Sequence, residues 1–330
     1  MDTAIIHQFP KVDLHCHLDG SVSLATLEKF AEKEGQDPSQ VIQAVAPEKC
    51  EDLAEYLKSF DFILSLLQTK ENLTEAAYDV VRQAAEDGVC YIEIRFAPLL
   101  HQQKGLTVPE IISSVCEGIE KGMTTYQVES NVLICGMRHH SQKDNQQLFQ
   151  EVSQLNQARI VGFDFAGDEK QVSNQKIAES IQFANQTGYQ LTIHSGECGC
   201  YHNVLEGIRL GATRIGHGVA IRQDKAAMAF CRETKTLLEM CPTSNLQTNA
   251  ISSWEEYPLR LFMEEGILCC INTDNRTVSN TNLTQEYQLL ATHCQLTYEE
   301  MKQLNINGIT GSFAVDSVKE KVLDKINRHI

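Results

Sequence analysis

Eight short, mainly apolar runs recur along the chain, and longer segments with helical periodicity separate them. Short apolar runs bounded by turn residues predict β-strands, whereas apolar positions three or four residues apart predict helices. Strands that alternate with helices indicate a parallel sheet, and eight such strands close a barrel, so we predict an α/β fold, a (β/α)8 TIM barrel. The runs cover residues 11–18, 89–98, 130–137, 159–167, 189–197, 213–218, 236–244 and 267–275.

Helices are predicted between the strands, and an insertion follows the first strand. The connection at residues 19–88 is too long for a single crossover, so we expect extra helices to be inserted there. No repeat, low-complexity tract or linker interrupts the series, and the chain is predicted to form one barrel domain over residues 1–330. Among the later strands, helical periodicity marks residues 108–124, 173–187, 222–233 and 255–265.

One inserted segment, residues 52–68, has an apolar helical face. Packing of this face into the core is the favoured interpretation, because apolar helix faces are usually buried in this way. An insertion after the first strand would also overhang the mouth of the barrel, and the second interpretation is therefore an apolar lid. The face is formed by Leu53, Tyr56, Leu57 and Phe60.

The charge of the chain argues against several classes of partner. The net charge is −16, from 28 basic and 44 acidic residues, and no basic block is present. Such a chain is not expected to bind nucleic acid or an anionic membrane surface. The N-terminus lacks the features of a secretory signal, and no apolar stretch is long enough to cross a membrane. We therefore expect a cytoplasmic protein.

Twelve cysteines are present, but they indicate reduced thiols and not a disulfide framework. Several lie inside apolar runs, where buried free cysteines are common. Cys198 and Cys200 form a CxC beside a glycine-rich turn, and a soft-metal site there is a weak alternative because no second pair lies nearby. Cys241 is expected to be a buried structural thiol unless a base lies beside it.

The stretch KVDLHCHLDG, residues 11–20, ends the first predicted strand with two histidines one residue apart. Successive side chains on a strand point to opposite faces, so His15 and His17 face the same way. Because barrel enzymes build their sites at the C-terminal ends of the strands, the joint pattern of polar residues at strand ends predicts a metal site. The other residues at these ends are Asp19, His194, Glu197, His217, Asp274 and Asn275.

Zinc is the expected metal, at one ion per chain. Three imidazoles and one carboxylate suit Zn²⁺ with a water molecule in an open position, and iron, manganese and cobalt remain alternatives. Such an ion lowers the pKa of its water to about 7. His217 can then orient that water or take its proton, and Glu197 can act as a general acid. The predicted ligands are His15, His17, His194 and Asp274.

Six motifs in order resemble the adenosine deaminase family of the metal-dependent amidohydrolase superfamily. The resemblance extends from about residue 10 to beyond residue 310, and it implies a (β/α)8 barrel that hydrolytically deaminates adenosine, and also 2′-deoxyadenosine, in purine salvage. It also implies a small purine nucleoside as substrate and a monomer or homodimer. The motifs are HCHLDGS, FAGDE, TIHSGE, RIGHG, EMCPTSN and INTDN.

The resemblance assigns roles to individual residues. Glu197 matches the acid that protonates purine N1, and His217 matches the histidine beside the metal-bound water. Gly167 matches the glycine whose N–H meets N3, and Asp19 matches the residue near the ribose 5′ hydroxyl. The implied groups are catalytic Glu197, His217 and Asp274, substrate-binding Asp19, Gly167, Asn275 and His17, and metal-binding His15, His17, His194 and Asp274.

One position departs from the commonest pattern of the family. Many members have Asp-Asp after the last strand, whereas this chain has Asp274 followed by Asn275. The second residue is the one that the family uses to hold N7. An Asn amide can donate to an unprotonated N7 without ionising, so we expect a subfamily variant that retains activity.

Several other functions are compatible with parts of this pattern. Adenine deaminase is the main one, and Asp19 favours the nucleoside over the free base. AMP deaminase is disfavoured because no basic phosphate-binding cluster is present, and the two-metal hydrolases because strand four lacks a suitably placed lysine. The HxE and PCxxC motifs of the cytosine-type zinc deaminases are absent. A non-catalytic purine-binding protein is disfavoured because Glu197 and His217 are both present.

Overall fold

Eight parallel strands follow one another around a single sheet in chain order, as a (β/α)8 barrel requires. A computed structural model of the chain describes residues 2–329. Each predicted apolar run overlaps one of the strands, so the predicted fold class is confirmed. The strands are β1 Lys11–His17, β2 Val89–Phe96, β3 Glu129–Met137, β4 Ile160–Ala166, β5 Gln190–Ser195, β6 Arg214–His217, β7 Leu237–Met240 and β8 Cys269–Ile271.

The first and last strands meet through backbone bonds near the C-terminal ends of the strands. Asp274 N donates to His15 O at 2.7 Å, and His17 N donates to Asp274 O at 2.7 Å. Farther down, Leu14 N donates to the side-chain Oδ1 of Asn272 at 2.8 Å. The residues that join β1 to β8 therefore include three of the predicted site residues, His15, His17 and Asp274.

Helices surround the sheet, and the predicted extra helices are present between β1 and β2. Six 3-10 helices are described at Asp19–Ser21, Pro38–Ala44, Pro98–His101, Asn174–Ile177, Val219–Gln223 and Trp254–Glu256. The α-helices are α1 Thr3–Gln8, α2 Leu24–Lys33, α3 Leu53–Leu57, α4 Phe60–Leu66, α5 Lys70–Glu86, α6 Val108–Tyr126, α7 Gln142–Gln154, α8 Ala178–Gln186, α9 Tyr201–Arg209, α10 Lys225–Thr234, α11 Pro242–Gln247, α12 Leu259–Glu264, α13 Leu283–His293, α14 Tyr298–Gly311 and α15 Asp316–Arg328.

The predicted helices are present, but they begin and end at other residues than the sequence predicted. Helix α6 begins with a capping box, in which Thr107 and Glu110 each accept from the other's backbone N–H. Residues 173–187 divide into a 3-10 helix and α8, and residues 255–265 divide into the end of the 3-10 helix Trp254–Glu256 and the short α12. The segment 52–68 is not one helix, because it breaks after Leu57 into α3 and α4.

Charged side chains fill part of the barrel interior. Arg214 contacts Glu93 at 2.6 Å and Glu239 at 2.7 Å, and all three are at most 1% exposed. Tyr91 donates to Glu93 at 2.8 Å. Buried charges are tolerated when each has partners of opposite charge and further hydrogen bonds, and this network supplies both directly beneath the mouth of the barrel.

The described residues include no helix that is long and apolar enough to cross a membrane.

Close packing between α5 and α6 depends on a glycine and yields a stability test. A Cβ added at Gly118 would lie 2.1 Å from the carbonyl oxygen of Thr74. In a helix, Gly→Ala usually stabilises the folded protein by about 1 kcal/mol. At Gly118 the added methyl group would instead force α5 and α6 apart. We expect Gly118→Ala to lower the free energy of unfolding by about 1–3 kcal/mol in urea denaturation. Thr124→Ala, an exposed change on the same helix, should leave it nearly unchanged, and a stabilised Gly118→Ala would contradict the packing.

A candidate metal centre at the mouth of the barrel

Four strands bring the predicted polar residues together at one end of the barrel. One candidate nitrogen or carboxylate oxygen from each of four residues forms a buried group with all four atoms within 4.8 Å of one another. His17 adjoins the group, with its Nε2 3.1 Å from Nε2 of His194 and 3.3 Å from Oδ1 of Asp274. All the predicted metal ligands therefore converge. The four residues of the group are His15, His194, His217 and Asp274.

The backbone is unusual at two of these residues. His217 has φ 65° and Asp274 has φ 59°, both in the left-handed region that residues with a Cβ seldom adopt. Asp274 is held there by its two backbone bonds to β1. Such conformations are concentrated at functional sites, where the surrounding structure compensates for their cost. They turn both side chains into the mouth of the barrel.

Two carboxylates orient two of the histidines. His15 Nδ1 lies 2.8 Å from Oε2 of Glu239, and His194 Nδ1 lies 2.9 Å from Oδ2 of Asp164. A carboxylate at Nδ1 places the proton on that nitrogen and leaves the lone pair of Nε2 free, which is the usual arrangement around metal-binding histidines. His15 and His194 therefore both present an unprotonated Nε2 to the centre of the site.

The guanidinium of Arg95 holds these two carboxylates. It lies 3.0 Å from Oδ2 of Asp164 and 2.7 Å from Oε2 of Glu239. Burial alone would raise the pKa of each carboxyl, but Arg95 and Arg214 at Glu239, and His194 and Arg95 at Asp164, keep both pKa values well below the usual range. Both groups stay anionic and act as acceptors for the histidines.

His217 is arranged differently from the other histidines. Its Nδ1 lies 3.0 Å from Nδ2 of Asn245, an amide nitrogen that can only donate. Burial lowers the pKa of His217 well below its usual value, so the ring is neutral and its proton belongs on Nε2. An Nε2–H is a hydrogen-bond donor and not a metal ligand, which favours His17 as the third imidazole of the metal set.

The donor set fits a divalent metal ion. Among the residues that the structure describes, the buried Nε2 of His15 has no hydrogen-bond partner, as expected of a nitrogen reserved for a ligand. Three imidazole nitrogens and one carboxylate form a mixed set that suits zinc and its neighbours in the first transition row. The arrangement can therefore bind one metal ion.

Glu197 lies beside this group and is placed to be protonated. Its Oε2 is 3.6 Å from Nε2 of His217. Burial, with the nearby charges of Asp274 and Glu169, raises the pKa of Glu197 well above its usual value. A carboxyl that keeps its proton at neutral pH can act as a general acid.

The loop that carries Glu197 is anchored by a buried carboxylate. Glu169 accepts from Gly196 N at 2.9 Å, from Cys198 N at 2.6 Å and from Asn203 Nδ2 at 3.1 Å. The two backbone donors flank Glu197 on either side. Glu169 therefore orders the loop on which the acid sits.

A cavity of about 460 Å³ opens above the metal group. Asp19, Gly167 and Asn275, the predicted substrate-binding residues, all border it. Gly167 has φ 104°, which a residue with a Cβ would strain to adopt. Burial raises the pKa of Asp19 to about 6. The volume is within the range of small-molecule sites.

The apolar face of the inserted segment forms one wall of this cavity. Its members in α3 and α4 all border the cavity, as the lid interpretation predicted. Two of them, Leu53 and Tyr56, are also buried in the apolar core, so core packing holds for part of the face. The four lining residues are Leu53, Tyr56, Leu57 and Phe60.

Other sequence candidates lie outside the metal group. Cys198 and Cys200 belong to no metal-binding group among residues 2–329. Cys241 is buried, and burial raises the pKa of its thiol well above the usual value, as expected of a structural cysteine. His101, which lies just after β2 and was assigned no role from the sequence, is buried against the carbonyl of Leu67 and does not border the cavity.

The sequence analysis did not identify the residues that orient the histidines and anchor the Glu197 loop. Each is a charged residue inside or beside an apolar strand run, such as Arg95 in YIEIRF and Glu239 in LLEMC. A charge in a buried strand needs a partner, and that signal was available. The identity of the partner was not, since it depends on which strands are adjacent. The missed residues are Arg95, Asp164, Glu169 and Glu239.

The family is shown by comparison with known sequences. The profile of the adenosine deaminase family matches residues 10–329. The chain belongs to the adenosine deaminase family. An adenosine deaminase from Enterococcus faecalis is 48% identical, with 99% of each chain covered. One from Streptococcus mutans is 42% identical, covering 98% of this chain and 94% of the relative.

Solved structures share the fold of this adenosine deaminase family member at lower identity. An adenine deaminase from Arthrobacter aurescens superposes with a TM-score of 0.90 at 22% identity, covering 97% of this chain and 98% of that one. An amidohydrolase from Burkholderia ambifaria with bound Zn gives a TM-score of 0.89 at 20% identity, covering 99% and 93%. These likenesses support the barrel architecture.

Removing the carboxylate behind His15 should weaken metal binding. In Glu239→Gln an amide replaces the acceptor that holds the His15 tautomer, so we expect affinity for zinc to fall about 10–100-fold in titrations against a competing chelator. Glu286→Gln is the matched control, because Glu286 is equally buried but accepts from Thr243 N and Thr281 Oγ1. Equal zinc affinity in the two variants would contradict the role of Glu239.

Proposed function

We propose that this member of the adenosine deaminase family hydrolyses adenosine, and also 2′-deoxyadenosine, to inosine or 2′-deoxyinosine and ammonia, in purine salvage. The observation that carries the proposal is the buried carboxyl of Glu197, whose pKa burial raises well above its usual value, beside a group that can bind a metal at the floor of a ligand-sized cavity. Curated relatives named adenosine deaminase at 40–48% identity over nearly the whole chain support the same activity. We propose one catalytic domain over residues 1–330.

We propose that one Zn²⁺ per chain is held by four side chains at the mouth of the barrel. The unpartnered Nε2 of His15, the carboxylates at Nδ1 of His15 and His194, and the donor composition support this assignment, as does the bound Zn of the fold neighbour from Burkholderia ambifaria. When bound, such an ion lowers the pKa of a coordinated water molecule. The proposed ligands are His15, His17, His194 and Asp274.

The proposed chemistry begins with a proton transfer from Glu197. Donation of its proton to purine N1 withdraws electron density from C6, which makes C6 the electrophile for water. The Nε2–H of His217 and the carboxylate of Asp274 lie on the same side of the cavity and hold the attacking oxygen. A C6–O bond forms as the water gives one proton to the carboxylate of Asp274, the amine takes up that proton, and the C6–N6 bond breaks to release ammonia. The second proton of the water returns to Glu197, and the proton at N1 stays in the product.

Binding of the nucleoside is assigned to residues around the rim. The N–H of Gly167 is proposed to meet N3, and Asp19 to meet the ribose 5′ hydroxyl. Asn275 is proposed to donate to N7, and His17 to border the bound purine. Their positions on the lining of one cavity support these roles.

Two alternatives receive less support. The adenine deaminase that shares the fold is 22% identical, which bears on architecture alone, whereas relatives at 40–48% identity are named for the nucleoside enzyme. A non-catalytic purine-binding protein would not need the protonated Glu197 beside His217. A cytoplasmic location and a monomer or homodimer stay predictions.

Loss of the acid should abolish turnover without loss of the metal. The absorbance near 265 nm should fall when the protein is mixed with adenosine, and it should fall more slowly with adenine. It should not fall after a chelator has removed the metal. Glu197→Gln removes the proton donor, so kcat should fall by about 10²–10⁴, with zinc content unchanged by elemental analysis. Comparable turnover of this variant would remove Glu197 from the proposed role.

Restoring the commoner residue of the family tests the position after Asp274. Asn275→Asp keeps the size of the side chain, and a protonated carboxyl can still donate to N7. We expect turnover of adenosine to continue, with a larger change in KM than in kcat. The steady-state constants measure this, and an inactive variant with normal zinc content would show that N7 is held in another way.

A further inference from the structure

The inserted lid segment contacts the loop after β8 through a chain of hydrogen bonds. Tyr56 of α3 has its Oη 3.0 Å from Nδ2 of Asn275 and 2.6 Å from Oγ of Ser279. The three residues are at most 3% exposed. An amide nitrogen only donates, so Tyr56 Oη accepts from Asn275, which leaves its own proton free to be donated to Ser279 Oγ.

The side-chain oxygen of Asn275 faces Gly20 and not Tyr56. A Cβ added at Gly20 would lie 1.9 Å from Asn275 Oδ1, so this oxygen packs directly against the backbone of Gly20. Oδ1 is buried and has no partner among the described residues. An amide in this orientation carries a second N–H that Tyr56 does not use, on a side chain that borders the cavity.

We propose that Tyr56 is a positioning residue, which fixes the Asn275 carboxamide with its NH₂ group toward the base and so makes the site select purines that offer a lone pair at N7. The proposal rests on the proposed function and extends it to a residue of the lid. If the Asn275 carboxamide had the opposite orientation, its Oδ1 would face the N7 lone pair. Both atoms are hydrogen-bond acceptors, so they would repel each other.

The selectivity follows from the cost of an unpaired buried donor. A ligand with C–H in place of N7 leaves the second N–H of Asn275 without an acceptor, and a site built around a hydrogen bond rejects the analogue that lacks it. Without the Tyr56 hydroxyl, the hydrogen bonds that link the Asn275 amide to Ser279 are lost. The amide can then rotate so that Oδ1 and Nδ2 exchange places. The preference for N7 should then disappear.

Inosine and 7-deazainosine form a matched pair of non-reacting ligands that differ only at N7. Their inhibition constants against adenosine turnover should favour inosine by about tenfold in the unaltered chain. In Tyr56→Phe the ratio should approach one, because inosine weakens while 7-deazainosine is unchanged. Tyr126→Phe removes a hydroxyl that pairs with Tyr78 outside the cavity and should retain the full ratio.

A second variant covers the case in which Tyr56→Phe does not fold. Ser279→Ala leaves Tyr56 in place but frees its proton to bond Asn275 Oδ1, so the ratio should also fall. An unchanged ratio, or an equal weakening of both ligands, would overturn the proposal. Failure of the unaltered chain to deaminate adenosine would instead contradict the proposed function, so the two outcomes are distinct.

Discussion

Inside the barrel, the guanidinium of Arg95 bridges two carboxylates on other strands, Asp164 at 3.0 Å and Glu239 at 2.7 Å. Each carboxylate in turn orients one histidine, at His194 and His15. Buried charges cost free energy unless they are paired and hydrogen-bonded, and here each group is paired more than once. One cation from β2 thus sets the tautomers of histidines on β5 and β1.

Two carboxyls in the same cavity are driven in opposite directions. Burial alone would raise the pKa of Asp274, but the surrounding histidines, His15, His217 and His17, hold it well below the usual range. At Glu197, burial together with the charges of Asp274 and Glu169 raises the pKa instead. Environments that separate two pKa values in this way allow one carboxyl to remain an anion and the other an acid. The proposed mechanism uses both states.

The insertion after β1 forms part of the site, because its residues line the cavity together with residues of the barrel. Its apolar residues wall the cavity, and an apolar wall lowers the local dielectric, which strengthens the polar contacts at the floor. Tyr56 adds a polar contact from the same face, toward Asn275 and Ser279. The segment is divided into α3 and α4, so its side chains reach the cavity from two short helices.

The sequence by itself determined the barrel, its eight strands and the convergence of the strand-end residues, because periodicity and strand-end position are local properties that parallel topology carries to one edge. His15, His17, His194, Glu197, His217 and Asp274 were all identified in this way. Only the tertiary structure decided which charges pair, such as Arg95 with Asp164 and Glu239, that Glu169 anchors the Glu197 loop, and that Tyr56 reaches Asn275. These contacts join residues 27 to 219 positions apart in the chain, and no local pattern specifies a partner at that distance, since it depends on how the strands and the insertion pack in space.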